Sequence, residues 1–175
     1  YGHCTGGRLD RVCQATDEPC GQMNRLLRLI YRIYSLHWWI MRPLVVGVRI
    51  ILVQEGKVLL VRHTYQRHWY FPGGAVKKGE TLPAAASREA TEEAGVILGE
   101  APQLHGMYSS FYEGKSDHIA VFVCENFQMS QATDRWEIDA CQFFAMDALP
   151  DDLSPACRRR LQEYGAGIGP YVEKW

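Results

Sequence analysis

No stretch of this 175-residue chain reaches the 18 or so consecutive apolar residues that a membrane-spanning helix requires. Charge of neither sign is in excess: 19 lysines and arginines stand against 20 aspartates and glutamates. Without a global basic field the chain has little to hold a duplex backbone, which argues against a DNA or RNA coat protein. No two of the cysteines (Cys4, Cys13, Cys20, Cys124, Cys141 and Cys157) form a C-x-x-C pair, so zinc-ribbon and thioredoxin-type motifs are ruled out. Internal repeats and interdomain linkers are missing too. What remains is 47% hydrophobic and 22% charged residues, enough apolar material for one packed core. Three of the cysteines fall in strand or helix patterns, where buried free thiols are common, and a reducing, cytoplasmic setting is the expectation.

The chain opens on Tyr1, and residues 1–22 are polar, aperiodic and without the apolar region of a secretory signal. They are expected to be a poorly packed extension, His3 and Cys4 included, with Met23 as the natural start. Residues 23–43 read as an amphipathic helix. Leu26, Leu27, Ile30, Ile33, Tyr34, Trp38 and Ile40 recur at helical spacing, Arg25, Arg28 and Arg32 share a second face, and Pro43 ends the pattern. Such a helix packs against its own domain or a twin subunit, giving a homodimer through residues 24–42. With Trp38 and Trp39 it also has the makings of an anchor on an anionic membrane surface. Packing is the commoner fate.

From Leu44 to the end, residues 44–175 read as one domain. Leu44 to Val53 and Lys57 to His63 are β-branched strands around a Glu55-Gly56 turn. A short strand is expected at Trp69 to Phe71, others at Gln103 to Tyr112, His118 to Phe127 and Ile138 to Ala145. Thr81 caps a helix that Gly95 ends, with Pro83 in its tolerant first turn; Ser154-Pro155 opens a last helix to about Tyr164. The order predicts an α+β or three-layer α/β/α sandwich.

The chemistry is concentrated in Gly73 to Val96, GGAVKKGETLPAAASREATEEAGV. Glu89, Glu92 and Glu93 stand at i, i+3 and i+4 of the helix, so their side chains root on one face. Three like charges that close destabilise a helix unless a cation sits among them. Hard carboxylate oxygens grouped this way suit Mg²⁺, or Mn²⁺ in its place. A solvated acidic face is the plainer reading of the glutamates taken alone.

The spacing around them changes the balance. From Gly74 the chain reads G, five residues, Glu80, seven residues, Arg88-Glu89-Ala90, one residue, Glu92-Glu93, one residue, Gly95-Val96. This is similar to the signature of the Nudix hydrolases at every fixed position. Chance gives such a match less than about once in a million chains of this length. Ala90 departs mildly, since the family more often has a bulkier aliphatic there. Trp69-Tyr70-Phe71-Pro72-Gly73-Gly74 before the box and Asp147-Ala148-Leu149-Pro150 after the last strand also resemble the family, so the likeness covers about Leu44 to Tyr164. The helix at 24–42 lies outside it.

The resemblance implies a mixed sheet between helices and hydrolysis of a pyrophosphate bond in a nucleoside diphosphate joined to another group. Nucleotide sugars, dinucleoside polyphosphates and oxidised or ordinary triphosphates are all candidate substrates. It implies Glu89, Glu92, Glu93 and the Gly73 carbonyl as metal ligands, and Glu92 or Glu89 as the base that takes a proton from water. Arg88 then holds the glutamates, Glu80 pins the loop, and Gly74 and Gly95 allow its turns. Glu137 is the foremost candidate for an extra acid, ahead of Asp139, Glu113 and Asp117. Arg62, Tyr65, Arg67 and Tyr70 flank the box and are candidates for phosphate or base contacts. His63, His68 and His118 lack metal-type spacing and read as packing or surface residues. The rival function is a nucleotide sensor of the same fold that has given up cleavage, against which the retained Glu80, Glu89, Glu92 and Glu93 speak.

Overall fold

A computed structural model describes residues 44–111, 116–132, 136–167 and 169–175. The extension at 1–22, the amphipathic helix at 23–43 and Glu113 lie outside the described residues.

Alternating burial builds the frame. Strand β1 (Leu44–Gln54) turns back into β2 (Lys57–His63) through Glu55 and Gly56, both at positive φ (52° and 71°), as a two-residue hairpin turn demands. Val48, Ile50 and Leu52 point to one face of the sheet, Ile51 and Val53 to the other, so β1 is buried on both sides as a central strand should be. Its second neighbour is β5 (Ser116–Cys124), paired in parallel from Leu44 opposite Ser116 to Leu52 opposite Cys124. Antiparallel β4 (Gln103–Ser110) follows β5, and β7 (Ile138–Ala145) follows β2. A last strand, β8 (Tyr171–Lys174), adds parallel to β4, so the mixed sheet runs β7-β2-β1-β5-β4-β8. Helix α1 (Leu82–Ala94) covers one face and helix α2 (Pro155–Ala166) the other. This is the expected layered architecture.

Some details differ from the sequence reading. Trp69 to Phe71 is not a strand in its own right but makes single bridges, Tyr70 to Val61 and Trp69 to Leu153, because the segment changes partner within two residues. The strand expected at His118 to Phe127 stops at Cys124, and Phe127–Met129 forms β6, which pairs with β3 (Val96–Leu98) in a separate ribbon. Asn126 supplies the break, its carbonyl accepting from Gly99 N–H at 2.8 Å. Ser154 occupies the N-cap of α2 but its side chain makes no capping bond; its own N–H donates to the Trp69 carbonyl at 3.0 Å.

The feature that places the site is a split. β1 and β2 pair only from Leu52–Leu59 to the turn, then part. The segment from Tyr70 to Val76 fills the wedge: Tyr70 exchanges both backbone bonds with Val61, while Ile50 and Val48 donate to the carbonyls of Pro72 and Gly74 at 2.9 Å each. Pro72 is tolerated there because that stretch needs its carbonyl and not an N–H. Among the described residues Cys124, Cys141 and Cys157 are buried free thiols, and no helix is long and apolar enough to cross a membrane.

Candidate active site

Helix α1 brings the acids to the wedge. The Thr81 hydroxyl accepts from Ala84 N–H at 3.4 Å, and Gly95 closes the helix in the left-handed conformation (φ 62°). Its buried residues are Ala85, Ala86, Glu89, Ala90, Glu93 and Ala94. Four alanines let the helix lie close on the sheet, and the fully buried Ala90 belongs to that contact. Glu89 and Glu93, one turn apart, therefore sit inside the stripe facing the wedge, and Glu92 stands half-exposed on its flank.

Arg88 organises this acid group. Its Nε and Nη2 grip Glu80 with both carboxylate oxygens, at 2.8 and 2.9 Å. Nη1 donates to Glu89 at 2.6 Å and to Glu92 at 2.9 Å, and Nη2 also reaches the Ala75 carbonyl at 3.2 Å. A planar fork is what such bidentate bridging needs. The hydrogen bonds from Arg88 hold Glu80 well below the usual carboxylate range, at about 2, helped by the Lys77 N–H. Burial pushes Glu89 the other way, above its ordinary value, against the pull of Arg88. The Arg88 guanidinium is in turn driven above its ordinary value, by Glu80 first.

Glu93 is held differently. Its Oε1 meets His63 Nε2 at 2.9 Å and its Oε2 accepts the Gly73 N–H at 2.9 Å. The carbonyl of Gly73 accepts from Arg49 Nη1, also at 2.9 Å. Gly74 lies against Glu89: a Cβ there would come within 2.7 Å of its Oε1. The wedge thus brings Gly73, Gly74, Glu80, Arg88, Glu89, Glu92 and Glu93 together. Gly95 serves as the helix cap, away from the acids.

The flanking candidates divide. The Tyr65 ring lies 5.2 Å and the Tyr70 ring 6.3 Å from His63, beside the acid group, and Arg49 lies over Tyr70 at 5.7 Å. The Glu137 carbonyl accepts from Thr64 N–H at 2.9 Å, which puts that acid next to His63 in the sheet. Arg62 turns away to pair with Asp139 at 2.9 Å over the Trp69 ring, and Arg67 is exposed. Two participants were not legible as such: Arg49 and His63. The two-residue period was the available signal for His63, since it shares the face of Leu59 and Val61 that meets α1.

Among the described residues no three acid, histidine or cysteine side chains converge on a single point as a metal cage would. Arg88 stands between Glu89 and Glu92, and Lys77 approaches Glu92 at 3.6 Å, so side-chain cations balance these acids. In kind, the donors are hard carboxylate and carbonyl oxygens with no thiolate among them, a set that fits a hard divalent cation.

Comparison with known proteins agrees with this arrangement. Residues 41–164 match the model of the NUDIX domain. The chain is 26% identical over 123 residues to a MutT-like protein of Streptomyces ambofaciens, a match covering 70% of this chain and 77% of that one. The crystal structure of a MutT NUDIX hydrolase from Burkholderia pseudomallei superposes with a TM-score of 0.62 at 27% identity, over 69% of this chain and 98% of that one. The crystal structure of a UDP-X diphosphatase gives 0.60 at 26% identity, over 74% and 67% of the two chains.

Proposed function

The chain belongs to the Nudix family, and from that premise we propose that it is a pyrophosphohydrolase acting on a nucleoside diphosphate joined to a further group, with Mg²⁺ as its cation and Mn²⁺ as a substitute. The observation that carries this reading is the Arg88 fork, which gathers Glu80, Glu89 and Glu92 beside the Gly73–Gly74 wedge. The likeness to a UDP-X diphosphatase supports a diphosphate bearing a second group.

Glu89, Glu92, Glu93 and the Gly73 carbonyl are the residues that would hold the cation. Bound there, a divalent cation offsets diphosphate charge and acidifies a water for attack on phosphorus. The chain's own part is orientation and proton transfer. Arg88 keeps two of the acids aimed in one direction, and Glu80 keeps Arg88 in place. Glu92, the most exposed of the three acids, or Glu89, whose proton affinity is raised by burial, takes the proton of the attacking water. Glu137, whose backbone bonds Thr64 beside His63, is the extra acid we assign to the site. Tyr65 and Tyr70 offer ring faces to a base or sugar. The protein is read as cytoplasmic, and the segment 24–42 as a packing or dimerisation element ahead of a membrane anchor.

The test is product release from nucleotide sugars, dinucleoside polyphosphates and triphosphates, with Mg²⁺, with Mn²⁺ and with EDTA, repeated for Glu93→Gln. Cation-dependent turnover, strongest on diphosphates carrying a second group and reduced by orders of magnitude in the variant, supports the proposal. Tight nucleotide binding without turnover across the whole panel overturns it in favour of a sensor.

A further inference from the structure

We infer that His63 is a positioning residue for Glu93: its Nε2–H fixes that carboxylate in the orientation the proposed reaction uses. The inference rests on the hydrolase reading above.

Both partners are buried, His63 at 3% exposure and Glu93 at 6%, so water is no substitute for their 2.9 Å contact. A carboxylate only accepts, so the shared hydrogen belongs to Nε2. Nδ1 has no hydrogen-bond partner among the described residues. The imidazole is thus committed to Glu93 alone. Its ring is walled by Tyr65 and Tyr70, which limits rotation away from that acid.

Strand alternation aims the residue as well, since His63 follows Leu59 and Val61 at two-residue spacing on β2. The pairing of β2 with β7 shifts register beside it, with Asp139 as the extra residue on β7. Arg62 goes outward to Asp139, while His63 stays on the inner face toward α1.

Glu93 consequently has one donor on each oxygen, His63 on Oε1 and the Gly73 N–H on Oε2. Each oxygen keeps a second lone pair, and the plane of the carboxylate is set by two groups on different segments. Glu89 and Glu92 instead depend on Arg88. His63 gives Glu93 an anchorage independent of that arginine, and donors behind a metal-ligating group commonly tune its affinity.

The experiment is Mn²⁺ binding by electron paramagnetic resonance, with thermal unfolding in parallel, on the full chain and on His63→Leu, His63→Gln and His63→Asn. Glutamine carries an N–H near the place of Nε2, whereas asparagine falls short of Glu93 and leucine has no donor. The expected result is an affinity about 10–100-fold weaker in His63→Leu and His63→Asn, and within about threefold of wild type in His63→Gln. Should the leucine variant fail to fold, the Gln and Asn pair carries the same contrast. Equal affinity in wild type and His63→Asn, or equal weakening in Gln and Asn, overturns the positioning role. A wild-type chain that binds no Mn²⁺ overturns the hydrolase reading itself, and the inference with it.

Discussion

Arg49 on β1 donates to the carbonyl of Gly73 while the N–H of the same glycine donates to Glu93, each at 2.9 Å. One residue is therefore tied to the sheet through its carbonyl and to the box helix through its amide. The same Nη1 reaches the Phe71 carbonyl at 2.9 Å, which fixes the turn on both sides of Pro72.

Gly73 and Gly74 answer differently to the same small change. A Cβ on Gly73 would lie 2.1 Å from the Val48 carbonyl oxygen, at a φ of +150° that disfavours any side chain. On Gly74 it would meet the Glu89 carboxylate, which is able to move. Gly73→Ala is expected to destabilise by several kcal/mol or prevent folding, in the range of about 3 kcal/mol or more for overpacked, strained sites. Gly74→Ala is expected to keep Tm near wild type while kcat falls about tenfold or more, by displacing Glu89. Thermal unfolding and steady-state kinetics on both variants check the contrast.

Arg88→Lys is expected to lose nearly as much activity as Arg88→Gln, about 100-fold in kcat/KM. A single ammonium cannot grip both oxygens of Glu80 and still reach Glu89 and Glu92. Near-wild-type kinetics in the lysine variant would mean that charge alone, and not the fork, is what the acids need.

On the opposite face of the sheet Arg160 is 1% exposed, pairs with Glu163 at 2.5 Å, lies 3.9 Å over the Tyr108 ring and reaches the Lys174 carbonyl at 3.2 Å. Arg160→Met leaves Glu163 without its cation and is expected to cost about 3–5 kcal/mol by urea unfolding. Removing Glu163 together with it, in Arg160→Met/Glu163→Leu, is expected to recover much of that loss. Amide exchange at Tyr171 to Lys174 should quicken in the single variant, because β8 loses a tie.

His105 sits in the same cluster, 3.7 Å from Glu163, with Arg160 also near. Burial holds its pKa below the ordinary value of 6.5, against the pull of Glu163. The folded chain therefore resists the proton that the unfolded chain accepts. Its share of stability is complete above about pH 6.5 and declines as pH falls below that, toward the depressed folded-state value. His105→Gln should flatten the fall in Tm between about pH 7.5 and pH 5.5. An unchanged slope would place the acid sensitivity elsewhere.

The box helix was legible to its ends because local chemistry alone sets them: Thr81 caps, Pro83 tolerates the first turn, and Gly95 takes the left-handed residue. The strands at Leu44 and Lys57 were legible from apolar runs and a two-residue turn. β8 was not, since Tyr171-Val172-Glu173-Lys174 has no pattern of its own and becomes a strand only by pairing with β4. Trp69 to Phe71 misled for the related reason that its extended shape serves two partners. His63 looked like an ordinary strand residue because spacing in sequence says nothing of a partner thirty positions on, Glu93.

The parallel pairing of β1 with β5 joins Leu44 to Ser116, with the hairpin, the wedge and α1 all lying between them in the chain. Such a crossover is a costly loop to close, and contacts this distant slow folding relative to local ones. The acid-bearing helix is thus assembled from neighbouring residues, yet the sheet face it rests on, carried by β1 and β2 before it, is completed by β5 and β7, which follow it in the chain.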